Sequence, residues 1–111
     1  MKKKDIIKKG REFTKIINKN NIIKNKYYKI FYIKSDKTLF GISIPTKTGK
    51  ANVRNKLKRQ IKNIIDNNKI NIPNNYNYVI IVRREILEAT YQEKEQQLIT
   101  LFKKIGEQNE K

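Results

Sequence analysis

Over its first 84 residues the chain carries 23 basic side chains against 4 acidic ones, so few of its cations can be neutralised by carboxylates of the same segment. This imbalance limits the folds open to it. Unpaired ammonium and guanidinium groups are too costly to bury, so each element here must turn its charges outward and draw its core from one apolar face. The balance reverses over residues 85–111, which hold 4 basic and 6 acidic side chains. A formal net charge of +17 on 111 residues implies a polyanionic partner, bound by phosphate neutralisation and counterion release. That partner should face the first three-quarters of the chain, with the last quarter as a supporting element. A/T-rich codons account for the preference for Lys over Arg and for the many Asn, but not for the scarcity of carboxylates before residue 85.

The length fits one domain spanning residues 1–111, with 37% hydrophobic residues for a small core. No internal repeat or long linker interrupts it. There is no Cys, which fits a reducing compartment and excludes disulfides and thiolate metal sites. Met1-Lys2-Lys3-Lys4 imitates the charged head of a signal peptide, but Asp5, Lys8 and Lys9 break the apolar stretch that should follow. No apolar run approaches the roughly 18 residues of a membrane span. The expectation is a cytoplasmic protein with no membrane contact.

Hydrophobic periodicity supplies the elements. Residues 10–19 read as a short helix through Phe13, Ile16 and Ile17, with Lys15 and Lys19 outward. Residues 27–34 read as a strand, with Tyr28, Ile30 and Tyr32 on one face and Tyr27, Lys29, Phe31 and Ile33 on the other. Ser35, Asp36 and Lys37 form an expected hairpin turn into a second strand over 38–45, ended by Pro45. Residues 51–68 give the clearest helix: Val53, Leu57, Ile61, Ile64 and Ile65 form a single stripe. Residues 76–84 read as an apolar strand buried on both faces at its centre. Thr90 and Glu93 then form a capping-box pattern before a helix whose core face is Leu98, Leu101, Phe102 and Ile105. Asn-rich stretches near 18–25 and 67–77 read as turns. The order predicts an α+β fold, a sheet with helices packed on it.

The chemistry of an independent enzyme is missing. Without His there is no ordinary acid–base residue for neutral pH, and Ser and Thr lack an activating partner. Asp5, Glu12, Asp36 and Asp66 are too scattered to hold a pair of metals, and no Gly-rich phosphate loop occurs. No catalytic and no metal-binding residue is therefore assigned. What the chain offers instead is a binding surface. Residues 47–62 hold seven basic side chains and no acidic one. Lys56, Lys58, Arg59, Lys62, Asn55 and Asn63 fan around the helix away from the stripe, with Arg54 at its edge. Arg forks onto phosphate oxygens, and Asn offers donors and acceptors to sugars and base edges. Solvated helix faces usually mix signs; here the first carboxylate is Asp66. Thr48, Gly49 and Asn52 could present backbone N–H groups to a phosphate. Phe13, Tyr28, Phe31 and Tyr32, flanked by Lys15 and Lys29, form a second candidate, a stacking platform for single-stranded bases.

Thr48-Gly49-Lys50-Ala51-Asn52-Val53-Arg54-Asn55-Lys56-Leu57-Lys58-Arg59-Gln60-Ile61-Lys62 resembles the Arg-Asn-Arg signature of the bacterial ribonuclease P protein component. Residues 12–17, 39–44, 76–83 and 90–102 are similar to that family's first helix, entering strand, later strand and closing helix, in the right order along nearly the whole chain. The resemblance implies a two-layer α/β sandwich: roughly four strands, three helices and a left-handed βαβ crossover. It further implies a ribonucleoprotein endoribonuclease that removes the 5′ leader of precursor tRNA, with the catalytic core and its Mg²⁺ on the RNA subunit. The partners implied are ribonuclease P RNA and precursor tRNA, with no protein partner required and no catalysis by the protein alone. Lys47, Lys50, Asn52, Arg54, Asn55, Lys56, Lys58, Arg59 and Lys62 then fall to the RNA subunit. Phe13, Ile17, Phe31, Lys15 and Lys29 fall to the leader. Three positions depart from the pattern. Lys56 replaces the second Arg and loses its fork, Ile17 replaces a cleft aromatic, and Pro45-Thr46 replace residues that are often polar or basic. The rival readings are a small basic ribosomal or general RNA-binding protein without a role in cleavage, a duplex-DNA-binding protein, and a self-sufficient nuclease.

Overall fold

The computed structural model describes residues 6–7, 15–16 and 21–109. Strands β1 (Ile22–Lys24), β2 (Tyr28–Lys34) and β3 (Leu39–Ser43) precede helix α1 (Ala51–Asn67); strand β4 (Tyr76–Val82) and helix α2 (Tyr91–Asn109) follow. Short 3₁₀ turns occupy Thr46–Thr48, Lys69–Asn71 and Arg84–Glu88. The four strands form one sheet in the order β1-β2-β4-β3. β1 pairs antiparallel with β2, β2 antiparallel with β4, and β3 parallel with β4. α1 crosses between the two parallel strands, the βαβ unit for which the family resemblance implies the left-handed connection. The expected helix over 10–19 lies mostly outside the described residues, of which Lys15 and Ile16 are helical.

The sheet corrects the expected hairpin. Ser35-Asp36-Lys37 does turn the chain, but β2 and β3 never pair, because β4 lies between them. The reason is burial. Tyr78, Val79, Ile80 and Val82 of β4 are fully buried, and so apolar a strand is best satisfied with neighbours on both edges. A second correction concerns the Asn-rich stretch before residue 26. Ile22–Lys24 forms an edge strand, in register Ile22 with Phe31 and Lys24 with Lys29. The β3 strand ends at Ser43 and β4 at Val82, each two residues earlier than expected.

α1 and α2 meet the sheet on one side, giving two layers. Tyr28, Ile30 and Tyr32 of β2 and Tyr78, Ile80 and Val82 of β4 face Leu57, Ile61, Ile64 and Ile65 of α1 and Leu98, Leu101, Phe102 and Ile105 of α2. Tyr27, expected on the opposite face, joins this core because it precedes the strand and escapes its alternation. Phe40, Tyr78 and Phe102 form an aromatic nest, with Tyr78 5.1 Å from Phe102 in edge contact and 5.5 Å from Phe40 in a stack. Tyr28 and Tyr78 donate their hydroxyls to the carbonyls of Lys94 (3.0 Å) and Pro73 (2.7 Å). Burial pushes both phenols far above their usual titration range, so they stay neutral donors. On the other face, Phe31 and Val79 pack with Ile7 and Ile16 in a smaller cluster.

Termini and turns follow their residues. The capping box forms as expected: Glu93 N–H donates to Thr90 Oγ1 and Thr90 N–H to Glu93 Oε1, each at 3.2 Å. The Thr90 backbone bond is the main cause holding the Glu93 carboxyl below its usual range. Past α1, Asn68 Nδ2 donates to Ile64 O (2.8 Å) and to Glu95 Oε2 (3.0 Å). Asn75 takes φ 66°, a left-handed conformation Asn tolerates, and its N–H donates to Thr38 Oγ1.

Candidate nucleic-acid interface

Up to Asp66, α1 carries a basic surface with no acidic residue. With Leu57, Ile61, Ile64 and Ile65 buried and Val53 half-buried, the rest of its circumference looks outward. Asn52, Asn55, Lys56, Lys58 and Arg59 are exposed, and Arg54 and Lys62 are half-buried along one flank. Lys47 and Lys50 are exposed on the approach to the helix. Arg54 is held in place: its Nε donates to the Gly49 carbonyl at 3.1 Å. Its two terminal amino groups have no protein acceptor among the described residues, so the fork is positioned yet open. Gly49 matters here for space, since a Cβ would sit 3.2 Å from Val53 Cγ1.

Of the three N–H groups expected to face a phosphate, at Thr48, Gly49 and Asn52, two are already used. The N–H groups of Thr48 and Gly49 are used inside the turn, donating to Pro45 O (2.9 Å) and Thr46 O (3.4 Å), so they cannot hold a phosphate. The 3₁₀ turn closes because Pro45 fixes its entry and supplies its first acceptor.

A recess of 380 Å³ adjoins this turn at the C-terminal ends of β3 and β4, lined by Pro45, Lys47, Thr48, Ile81, Val82, Arg83, Arg84 and Glu85. Arg83 and Arg84 were not singled out from the sequence; the signal available was an Arg pair directly after the most apolar strand. Arg83 Nη1 donates to Asn25 O at 3.3 Å, and its Nε lies 3.9 Å from Glu85 Oε2.

The sheet face away from α1 and α2 is the second candidate surface. Alternation along β2 places Lys29, Phe31 and Ile33 there, as expected. Lys29 Nζ lies 5.4 Å from the Phe31 ring centroid. Phe31 is only 8% exposed, so it offers an edge rather than an open platform. Tyr28 and Tyr32, also candidates for stacking, belong to the opposite, helix-covered core. Lys15 is exposed; Phe13 and Ile17 lie outside the described residues. The register adds a residue the sequence did not flag. Lys24 stands directly opposite Lys29, a like-charge pair that is unfavourable without an anion.

Among the described residues no group of three or more His, Cys, Asp or Glu lies together. The described side chains thus form no cage for a divalent metal. No described helix is long and apolar enough to cross a membrane.

Comparison with known proteins agrees with this arrangement. The family model described as Ribonuclease P matches residues 1–106. The chain is 42% identical over 101 residues to the ribonuclease P protein component of Mesoplasma florum, covering 88% of this chain and 92% of that one. It is 42% identical over 113 residues to that of Mesomycoplasma hyopneumoniae, covering all of both. Among solved structures it is similar to the RNase P protein from Thermotoga maritima, with a TM-score of 0.80 and 29% identity over 85% of this chain and 91% of that one. It is also similar to the Staphylococcus aureus RNase P protein, with a TM-score of 0.83 and 26% identity over 91% of this chain and 94% of that one.

Proposed function

The chain belongs to the ribonuclease P protein family, and from that premise we propose that it docks through α1 on the catalytic RNA subunit and holds the 5′ leader of precursor tRNA along the Lys29–Phe31 face of its sheet. One observation carries this reading above the others: from Asn52 to Asn63 the outward arc of α1 is basic or amide, backed by the buried Leu57, Ile61, Ile64 and Ile65. Such a surface recognises phosphates and ribose and leaves the chemistry to the molecule it binds. Arg54, Asn55, Lys58 and Arg59 take the RNA subunit, with Lys47, Lys50, Asn52, Lys56 and Lys62 around them. Lys24 and Lys29 bring two positive charges to the leader beside the edge of Phe31. Lys15, Phe13 and Ile17 are assigned to the leader by resemblance alone. Arg83 and Arg84, near Lys47, extend the positive field between the two surfaces.

In this reading Mg²⁺ is bound mainly by the RNA subunit, and the protein raises substrate affinity rather than attacking the phosphodiester. No protein partner is required, and the site of action is the cytoplasm. Reconstitution is the test. A bacterial ribonuclease P RNA is assayed on precursor tRNA at Mg²⁺ low enough to silence the RNA alone, with and without the protein. Cleavage at the mature 5′ end that needs both components is the expected result. No stimulation of a correctly folded cognate RNA would favour a ribosomal or general RNA-binding role. Cleavage by the protein alone would place the chemistry on the chain.

A further inference from the structure

Lys94 is the only charged side chain among the described residues that is buried, at 8% exposure, and it stands on α2, in the least basic part of the chain. No carboxylate accompanies it: the ion pairs among the described residues join Lys69 to Asp66 and Arg83 to Glu85. Its Nζ donates to Gln60 Oε1 at 2.9 Å across the α1–α2 seam. An ammonium has three donors, so two are left. A cation in this position without a counter-charge is costly, and a second cation adds to the cost. Lys56 precedes Gln60 by one helical turn on the same flank of α1, about 5–6 Å away between Cβ atoms. Burial first, and repulsion from Lys56 second, hold the Lys94 ammonium below its usual titration range. Lys56 itself is exposed, so the site is open on its side.

With Lys94 held on Gln60 and Lys56 one turn away on the same flank of α1, the seam offers two ammonium groups and no ion-paired carboxylate, which suits an anion. Position 56 is where the family signature carries an arginine, whose fork places two donors on one phosphate. We propose that Lys56 and Lys94 together clamp a single backbone phosphate of the RNA subunit, two ammonium groups from two helices supplying the paired donors that one guanidinium would supply. This rests on α1 being the RNA-docking helix, and it extends that surface onto α2. The bound phosphate neutralises the buried charge, while Gln60 holds Lys94 in place when RNA is absent.

The test measures affinity of the full-length chain for a bacterial ribonuclease P RNA across a salt series. Lys94→Met keeps the apolar stem and removes the ammonium. It should flatten the salt dependence by about one unit of slope, the signature of one lost phosphate contact. Lys56→Arg should make Lys94 dispensable, so the double variant Lys56→Arg/Lys94→Met should regain a slope near that of the unmodified chain. A purely structural Lys94 would instead alter stability and leave the slope unchanged. If Lys94→Met loosens the helix seam, Lys94→Met/Gln60→Leu removes both polar partners and is read the same way. Arg59→Ala serves as the control. If it flattens the slope and the folded Lys94 variants do not, the clamp is overturned and docking through α1 stands. If neither changes the slope, docking through α1 fails and the clamp with it.

Discussion

Arg54 is fixed at one atom and open at two. Because its Nε is already held by the Gly49 carbonyl, little rotamer freedom remains to be lost when RNA binds, and a lysine there would lose both the tether and the fork. Arg54→Ala should therefore flatten the salt dependence of RNA-subunit binding by about one unit; titration at several salt concentrations reads this, and an unchanged slope would remove Arg54 from the phosphate contacts. Phe31 behaves differently because it is mostly buried. Phe31→Ala should cost about 3 kcal/mol of stability, at the low end for a core aromatic, as well as affinity for substrate bearing a leader. Phe31→Leu separates the two effects by keeping most of the burial. It should weaken binding of precursor tRNA but not of mature tRNA, and equal losses for both would end the leader assignment.

At the scale of elements, local patterns were legible and register was not. α1 could be read almost to its last residue, because the period of Leu57, Ile61, Ile64 and Ile65 lies within one segment. The capping box of Thr90 and Glu93 was equally local. Thr90→Ala should cost about 1 kcal/mol in chemical denaturation. The folded Glu93 carboxyl titrates below its unfolded value, so its contribution is fully present above the usual carboxylate range and lost as pH falls through the depressed folded value. The stability gap between wild type and Glu93→Ala should accordingly narrow on acidification, whereas Thr90→Ala keeps the backbone N–H that is the main cause of the depression. The Lys24–Lys29 opposition could not be read in this way, since it depends on how β1 slides along β2. It yields a two-sided prediction. Lys24→Glu should raise the stability of the free protein by roughly 0.2–1 kcal/mol through a favourable cross-strand pair, yet weaken leader binding. Denaturation and precursor tRNA titration on the same variant would test both halves. Lys94 escaped sequence reading for a related reason: only the packing of α2 against α1 brings it to Gln60 and toward Lys56.

For the whole molecule, a net charge of +17 makes salt act in opposite directions on the free chain and on its complex. Screening relieves self-repulsion, so added salt should raise the melting temperature of the protein alone. The same salt should weaken the RNA complex by about 10³–10⁵ between 50 and 200 mM if six to ten phosphates are contacted. Parallel melting and binding series would show the crossing trends, and an RNA affinity indifferent to salt would contradict a phosphate-based interface. The strand order has a further consequence, for the order of events in folding. β4 is the last strand made and the one that joins β2 to β3. Until it leaves the ribosome, the preceding segment has most of the molecule's positive charge but no completed sheet to organise it. A nascent chain cut short before Tyr76 is thus a loose polycation. The sheet closes only when β4 has been made, with loops of long sequence separation to bridge, and the core over it only when Leu98, Leu101, Phe102 and Ile105 of α2 follow, so the charged surface gains its shape late, after nearly all of its charge is in place.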